Sequence, residues 1–547
     1  MALGGPLDTT DYVIVGGGTS GLVLACRLSE DPNIRVTVLE AGPDRTQDAR
    51  VRTPDAWYSL IGSELDWKMK IGAQPGLNNR TQDHPAGKLL GGSSAINGLA
   101  FVPPSPAGID AWAKLGNDQW TWESLCPYLQ KCYTVTAPEE LPSFQTGQSD
   151  SSGPIQLSCP VVKDHVGMGL VRAWNKAFEA HGYGINDVDI LTGDKTIGAR
   201  PYFATIDPKT GFRSSADSQY GALAASRPNV NIITETTVQE IIFNSSTTDL
   251  VATGVRVQQN GETRTVKANK EVILAAGAFC SPMILEYSGI GDSERLSHLE
   301  VPVKIDQPNV GRNLQNHLMI LIPIPIGKKA GLENIQPGFK GLSSIRISQE
   351  EQDQILVAYA QSEDQSNRII QSIIGRPNEP SANAFLLVQS SELALLGIMN
   401  SYPFSRGSLH ADSKGFQDSP IVDAAFLKNE ADLELLSRNV RGMYELLSTS
   451  ALSQLLDTSN LSNDLESIKA SICENAMATH HICGTAAMLP RSAGGVVGQD
   501  LKVYGTQNLR IVDASVFPLI PHANPMATVY AVAERAADLI KGERSPN

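Results

Sequence analysis

An α/β fold is expected for this chain, with a Rossmann-like nucleotide-binding domain at its start and a second domain beyond it. Three observations carry that expectation. A short apolar run, Val13 to Val15, leads into a glycine-rich turn, and the turn opens a helix. A second apolar segment, "RVTVL", ends in an acid, Glu40. The chain's 547 residues exceed what one hydrophobic core usually holds, so two to four domains, or two built from interleaved segments, are expected.

The first segment reads "DYVIVGGGTSGLVLACRL". Val13, Ile14 and Val15 suit a parallel strand buried on both faces. Gly16, Gly18 and Gly21 then supply G-x-G-x-x-G. The first glycine permits a tight turn, the second lets a pyrophosphate approach the backbone, and the third allows helix and strand to pack closely. Leu22, Ala25 and Leu28 recur at helical spacing. This helix offers its first N–H groups, around Thr19 and Ser20, to phosphate. Glu40 follows about 20 residues beyond the motif, where a carboxylate can accept ribose hydroxyls, with Ala41 beside it. A lone G-x-G-x-x-G is weak, but strand, turn, helix, strand and acid in this order predict an adenine dinucleotide. The motif does not separate FAD from NAD. Glu40 argues only against the 2′-phosphate of NADP.

Composition narrows the partners. A formal net charge of -14 argues against nucleic acid or an anionic membrane surface. Hydrophobic residues at 41% and charged residues at 19% describe a globular chain rather than a disordered one. The seven cysteines are scattered without a CxxC pair, so neither a disulfide framework nor a metal site is expected. No stretch reaches the roughly 20 apolar residues of a membrane helix. The N-terminus runs into the first strand without a basic and then apolar leader, so a cytoplasmic location is expected. Sequons at Asn79, Asn244 and Asn460 point weakly the other way, and secretion stays open.

Six further segments carry a family resemblance. "GKLLGGSSAINGLAFVPPSPAGID" (87–110) resembles the first signature of the glucose–methanol–choline (GMC) flavoprotein oxidoreductases, and "GAFCSPMILEYSGIG" (277–291) resembles the second. "NVGRNLQNH" is similar to the segment leading into that family's substrate domain, with Asn316 where Asp is usual. "HICGTAAM" and "NLRIVDASVFPLIPHANPMATVYAVAERAADLIKG" resemble its C-terminal catalytic region, and "YPFSRGSLH" the start of its C-terminal portion. The resemblance covers nearly the whole chain and is least diagnostic over 320–400. It implies FAD as cofactor and an α+β substrate domain built on an antiparallel sheet.

By this resemblance Gly92, Ser93, Ser94, Asn97, Gly98, Leu99 and Ala100 lie along the pyrophosphate and isoalloxazine. Gly91 and Gly92 allow close backbone approach to a flat ring, and small hydroxyl residues can bond phosphate without bulk. Ile96 stands where some relatives carry a histidine that attaches the cofactor, so FAD is expected to be non-covalent. Val238 matches the position whose backbone meets the adenine. Asp513 ends a buried strand and helps hold the ribityl and pyrophosphate portion, with Ala514 beside the flavin.

Oxidising an alcohol needs a base for the hydroxyl proton and a second group that holds the same oxygen. His480 and His481 are adjacent, and from the residues alone both could be structural. The family frame H-x-x-G-T fits His481-Ile482-Cys483-Gly484-Thr485 and makes His481 the base, with His480 a neighbour that can shape the pocket. Aligned on Asp513 and Pro518, the partner position falls on Asn524. Asn524-Pro525 also reads as a helix start, Asn at the N-cap and Pro at N1, with Met526 following. Facing the flavin, that helix N-terminus would stabilise developing negative charge. His522 is the remaining ambiguity, a second possible substrate contact. Cys280 and Cys483 lack cationic neighbours in sequence and read as packing residues.

The expected FAD domain spans 1–155, 195–310 and 470–547; the expected substrate domain spans 156–194 and 311–469. Within the latter "ADLELLSRNVRGMYELLS" is helical, with Leu433, Leu436, Val440 and Met443 apolar, and 362–383 reads as a loop-rich insertion near the pocket mouth. The expected activity is oxidation of an alcohol CH–OH group by His-assisted proton removal and hydride transfer to flavin N5. O2 or another acceptor would reoxidise the flavin. The alternative is a hydroxynitrile lyase, which the fold also hosts with a non-redox FAD. No acid or amide cluster marks a sugar site and no cage marks a quaternary ammonium, so an apolar or aromatic alcohol is expected.

Overall fold

The structure is a computed structural model that describes residues 9–136, 152–186, 189–191, 195–244, 249–328, 330–359, 365–413, 415 and 419–543. Residues 1–8, residues 192–194 at the end of the first predicted substrate-domain segment, residues 544–547 at the predicted end of the FAD domain, the last two residues of the Asn244 sequon and the start of the predicted insertion (362–364) lie outside the described residues.

Two sheets organise the chain. The first has seven strands. Val230–Ile233, Val36–Leu39, Thr9–Val15, the end of Glu262–Leu274 and Leu509–Ile511 are parallel neighbours in that order. The long strand Glu262–Leu274 continues at its start into an antiparallel meander with Val251–Gln259 and Thr237–Asn244. Every residue of Val36–Leu39 is buried, as expected for a parallel strand covered on both faces. The register places Leu39, Val15, Leu274 and Ile511 side by side, so Glu40, Gly16, Ala275 and Asp513 emerge from one edge. That is the carboxyl end of the parallel strands, where ligands bind in folds of this type. Helix Thr19–Leu28 packs on the C-terminal helix Met526–Gly542, which packs in turn on Trp122–Cys132.

The second sheet is antiparallel and six-stranded: Met477–Ala478, Leu318–Pro325, Leu393–Asn400, Ala382–Ser390, Gly338–Ile345 and Gly198–Arg200. Alternation along Leu318–Pro325 assigns the faces. Leu318, Ile320, Ile322 and Ile324 are buried in the core that also holds the helices Gly167–Ala180 and Glu430–Leu447. Leu436, Val440 and Met443 of the latter are buried there, and Leu433 partly so. The opposite face carries Met319, Leu342 and Met399, which cluster with Val102 and Ala523. This face therefore meets the segment that precedes the C-terminal helix.

Strand pairing differs from the predicted boundaries. Gly198–Arg200 was expected in the FAD domain, which was predicted to resume at 195, but it pairs with Gly338–Ile345 of the second sheet. Met477–Ala478, beyond the predicted boundary at 470, pairs with Leu318–Pro325. Ile155–Leu157 straddles the boundary at 155 and pairs with Tyr133–Val135 beside the first core. Each of these strands is two or three residues long, and its partner lies far away or beyond an intervening segment, so local periodicity carries no signal for it. The predicted loop-rich insertion contains a helix, Gln365–Ile374, whose Ile369, Ile370, Ile373 and Ile374 are buried. Those four positions follow a helical stripe that the flanking polar and Pro residues obscure.

Among the described residues no helix is long and apolar enough to cross a membrane. All seven cysteines are free, and Cys280 and Cys483 are buried, with burial pushing both thiols up, Cys280 to about 12.

Candidate active site

The turn expected to hold the nucleotide is built on backbone contacts that only glycine allows. Gly16 has φ +106°, and a Cβ there would lie 2.4 Å from the Ala275 carbonyl oxygen. A Cβ at Gly21 would lie 1.9 Å from the Gly16 carbonyl oxygen. Helix Thr19–Leu28 starts at Gly18 with no side-chain cap and no acid in its first turn, so Thr19 and Ser20 present an N-terminus suited to an anion. Glu40 accepts Gly17 N–H and Gly42 N–H, each at 2.8 Å, and burial raises its pKa to about 7. Ala41 lies between these contacts, half-buried. Val238 is buried in the strand that begins just after Thr236, whose N–H donates to the Glu40 carbonyl at 2.8 Å.

The second wall is the 87–101 loop. Gly92 has φ +53°, and a Cβ there would lie 2.8 Å from Gly18 Cα; Gly91 N–H donates to the Gly17 carbonyl at 2.8 Å. Ser94 Oγ donates to the Gly91 carbonyl at 2.7 Å, while Ser93 is exposed and its hydroxyl accepts Gly87 N–H at 3.2 Å. Asn97 Oδ1 accepts Leu99 N–H at 3.0 Å, and Nδ2 reaches Met526 Sδ at 3.0 Å, tying the loop to the start of the C-terminal helix. Tyr202 Oη donates to the Gly98 carbonyl at 3.0 Å, and Ala100 bridges to Ala204. Arg213, which sequence reasoning missed, is buried beneath this loop and donates to the Asn97 carbonyl at 2.8 Å and the Val51 carbonyl at 2.9 Å. Ile96 is buried and offers no nucleophilic atom for a covalent link.

Asp513 is spent on the protein around it. One oxygen accepts Gly277 N–H and Ser281 Oγ–H, the other Ser515 N–H and Oγ–H, and burial raises its pKa against these bonds. It thereby ties the second signature to the strand end beside half-buried Ala514.

The two adjacent histidines diverge because His480 adopts φ +65°, a left-handed conformation that turns the chain between them. His480 packs edge-on against His84, ring centroids 5.2 Å apart, with Phe279 beyond. His481 points the other way. Its Nε2 lies 3.1 Å from Asn524 Nδ2 and its Nδ1 lies 3.0 Å from His317 Nδ1. His317 Nε2 is 3.1 Å from the Ser401 carbonyl, which can only accept, so that nitrogen carries the proton. A neutral His317 then accepts at Nδ1, His481 donates from Nδ1, and His481 Nε2 is left as the unprotonated nitrogen facing Asn524. Asn316 Oδ1 accepts the His481 backbone N–H at 2.9 Å and fixes the main chain. Burial and the neighbouring imidazoles His317, His480 and His84 hold His481 well below the usual histidine pKa, in the neutral form that can take a proton.

Neither His317 nor Asn316 was singled out from sequence as a site residue. Both stand in "NLQNH", and the signal was a histidine at the end of a motif segment, which reads equally as packing. Asn524 differs from its expected capping role: helix Met526–Gly542 starts one residue late, with Pro525 at the N-cap and no side-chain cap. The Asn524 amide turns instead to His481. This leaves the helix N-terminus open and free of acids. His522 lies on a separate branch. Its Nδ1 accepts Ser105 N–H at 3.2 Å and its carbonyl accepts Asn383 Nδ2–H at 2.5 Å.

Two uncapped helix N-termini, a glycine cradle closed to any Cβ and a buried acid at the second strand fit a flavin dinucleotide. Comparisons with known proteins agree. The sequence profiles of GMC oxidoreductases match residues 10–319 and 403–533. A GMC oxidoreductase family protein, Mala s 12 of Malassezia sympodialis, is 34% identical over 97% of this chain and 92% of its own length. An FAD-dependent oxidoreductase from Chaetomium thermophilum superposes with a TM-score of 0.87 at 28% identity, over 98% of this chain and 99% of that one. A fungal aryl-alcohol oxidase gives 0.83 at 28% identity over the same shares.

Proposed function

The chain belongs to the GMC oxidoreductase family, and on that premise we propose that it oxidises the CH–OH group of an alcohol to an aldehyde or ketone. Membership makes it an FAD-dependent oxidoreductase. FAD supplies the acceptor for the hydride that leaves the alcohol carbon, and O2 or another acceptor restores it. The residues that would hold it are the Gly16–Gly21 turn with Thr19 and Ser20, Glu40 with Ala41, the Gly92–Ala100 loop, the Val238 backbone and Asp513 with Ala514. Pro525 and Met526 present the second helix N-terminus.

The observation that carries this reading is the His481–Asn524 pair. A substrate hydroxyl entering between them can donate to His481 Nε2 and accept from Asn524 Nδ2–H, replacing their 3.1 Å contact with two bonds to one oxygen. His481 then receives the hydroxyl proton, and the amide fixes the direction in which the carbon faces. His317 keeps the receiving nitrogen bare through its contact at 3.0 Å.

The test is anaerobic mixing of the flavin-loaded protein with primary and secondary alcohols while the visible flavin band is followed. Bleaching that requires His481 supports the reading. A band that persists with every alcohol, alongside release of aldehyde and cyanide from a cyanohydrin, would replace it with a lyase.

A further inference from the structure

Among the described residues no acid pairs with Arg200. This arginine ends the edge strand Gly198–Arg200 and lies opposite Leu342, which pairs onward with Phe385. Residues directly opposite share a face, so Arg200 leaves the sheet on the side of Leu342 and Phe385. This is the face whose Leu342 and Met399 pack with Ala523, the residue between His522 and Asn524. Arg200 Nη2 donates to the Thr196 carbonyl at 2.8 Å, but Nε is buried and has no partner among the described residues. Burial acts on the guanidinium with no acid among the described residues to offset it and pulls its pKa down to about 10, where it stays charged at neutral pH. The residue as a whole is half-buried.

A second observation comes from the neighbouring ring. His522 Nδ1 accepts the Ser105 N–H, so the proton of the neutral imidazole sits on Nε2. That nitrogen is buried with no partner among the described residues. The Arg200 charge reaches His522 and, with burial, keeps the ring neutral. A guanidinium and an imidazole N–H, both left short of acceptors, want an anion rather than water-like contacts. Around them the sheet face is apolar, with the Phe339 ring tilted against Tyr202, centroids 4.6 Å apart, and edge-on to Phe385 at 5.3 Å.

We infer that Arg200 and His522 form an anion-binding end of the substrate chamber, and that the alcohol oxidised at His481 carries a carboxylate on an apolar or aromatic body. The site rests on the alcohol-oxidation reading only for what happens at the other end of the molecule.

Binding and turnover test the two ends separately. Benzoate and benzamide, neither oxidisable here, are titrated into the flavin-loaded protein by calorimetry. Benzoate is expected to bind about 10-fold or more tighter than benzamide. Arg200→Met is expected to remove that preference, and Arg200→Lys to keep part of it. With 4-(hydroxymethyl)benzoate and benzyl alcohol as substrates, the preference is expected in KM. Equal binding of benzoate and benzamide by the unmodified protein would overturn the anion site, as would an Arg200→Met variant that weakens both alike. A benzoate preference without oxidation of either alcohol would instead overturn the alcohol reading and leave the anion site standing.

Discussion

His317 and His481 meet nitrogen to nitrogen, Nδ1 to Nδ1, at 3.0 Å. The Ser401 carbonyl at the far side of His317 makes this contact directional, because it decides where each ring carries its proton. On the proposed reading His317 positions the base, and His317→Ala should lower kcat about 10–100-fold, as loss of such an outer partner does elsewhere. KM should change little. The defect should persist at high pH, where both rings are neutral, because it concerns the tautomer rather than the charge; a pH profile of kcat checks this.

His481→Ala should reduce the rate of flavin bleaching about 10²–10⁴-fold while leaving FAD bound, since the ring contacts Asn524 and His317 rather than the nucleotide cradle. Rapid mixing gives the rate, and the absorbance ratio of flavin to protein gives the occupancy.

Asn524→Asp places a carboxylate about where the amide now meets His481, at 3.1 Å. A negative charge beside an imidazole favours its protonated form, so the pKa of the base should rise. The acid limb of kcat/KM should move to higher pH, which a pH–rate profile over the acid range detects.

Gly92→Ala should weaken FAD retention. The residue holds φ +53°, and the new Cβ would meet Gly18 Cα at 2.8 Å, backbone against backbone. Strain of about 1–3 kcal/mol at the seam between the two loops proposed to hold the cofactor corresponds to a roughly 5- to 150-fold weaker grip. Dialysis followed by the flavin-to-protein absorbance ratio measures it.

Acid should destabilise the fold before carboxylate protonation dominates. Burial pulls His317 and His480 each from 6.5 to about 4. Below 6.5 the unfolded chain takes up protons that the folded chain refuses, so stability is lost as pH falls through this window and the loss levels off near 4. Thermal unfolding between pH 7 and 4 should show a falling Tm, with a shallower fall in His480→Phe.

Much of the nucleotide half was legible in the residues alone. Val13 to Val15, the three glycines and Glu40 act through neighbours within a few dozen positions, so their spacing carries their function. The long helix over "ADLELLSRNVRGMYELLS" was equally plain, because its buried stripe repeats at the helical period. The family frame added His481 and Asn524 as candidates. It did not say what either touches.

Tertiary structure decided the rest, because the deciding contacts join positions hundreds of residues apart. His317 meets His481, the strand that ends at Arg200 joins the sheet whose face packs on Ala523, and strands of two or three residues find their sheet only when a remote partner supplies the hydrogen bonds. Even the capping role expected for Asn524 is not taken up: the helix begins one residue later with Pro525 at its N-cap, and the Asn524 amide N–H meets the His481 ring, which local sequence does not contain. A periodic pattern records which face of an element is buried. What that face is buried against depends on the path of the whole chain.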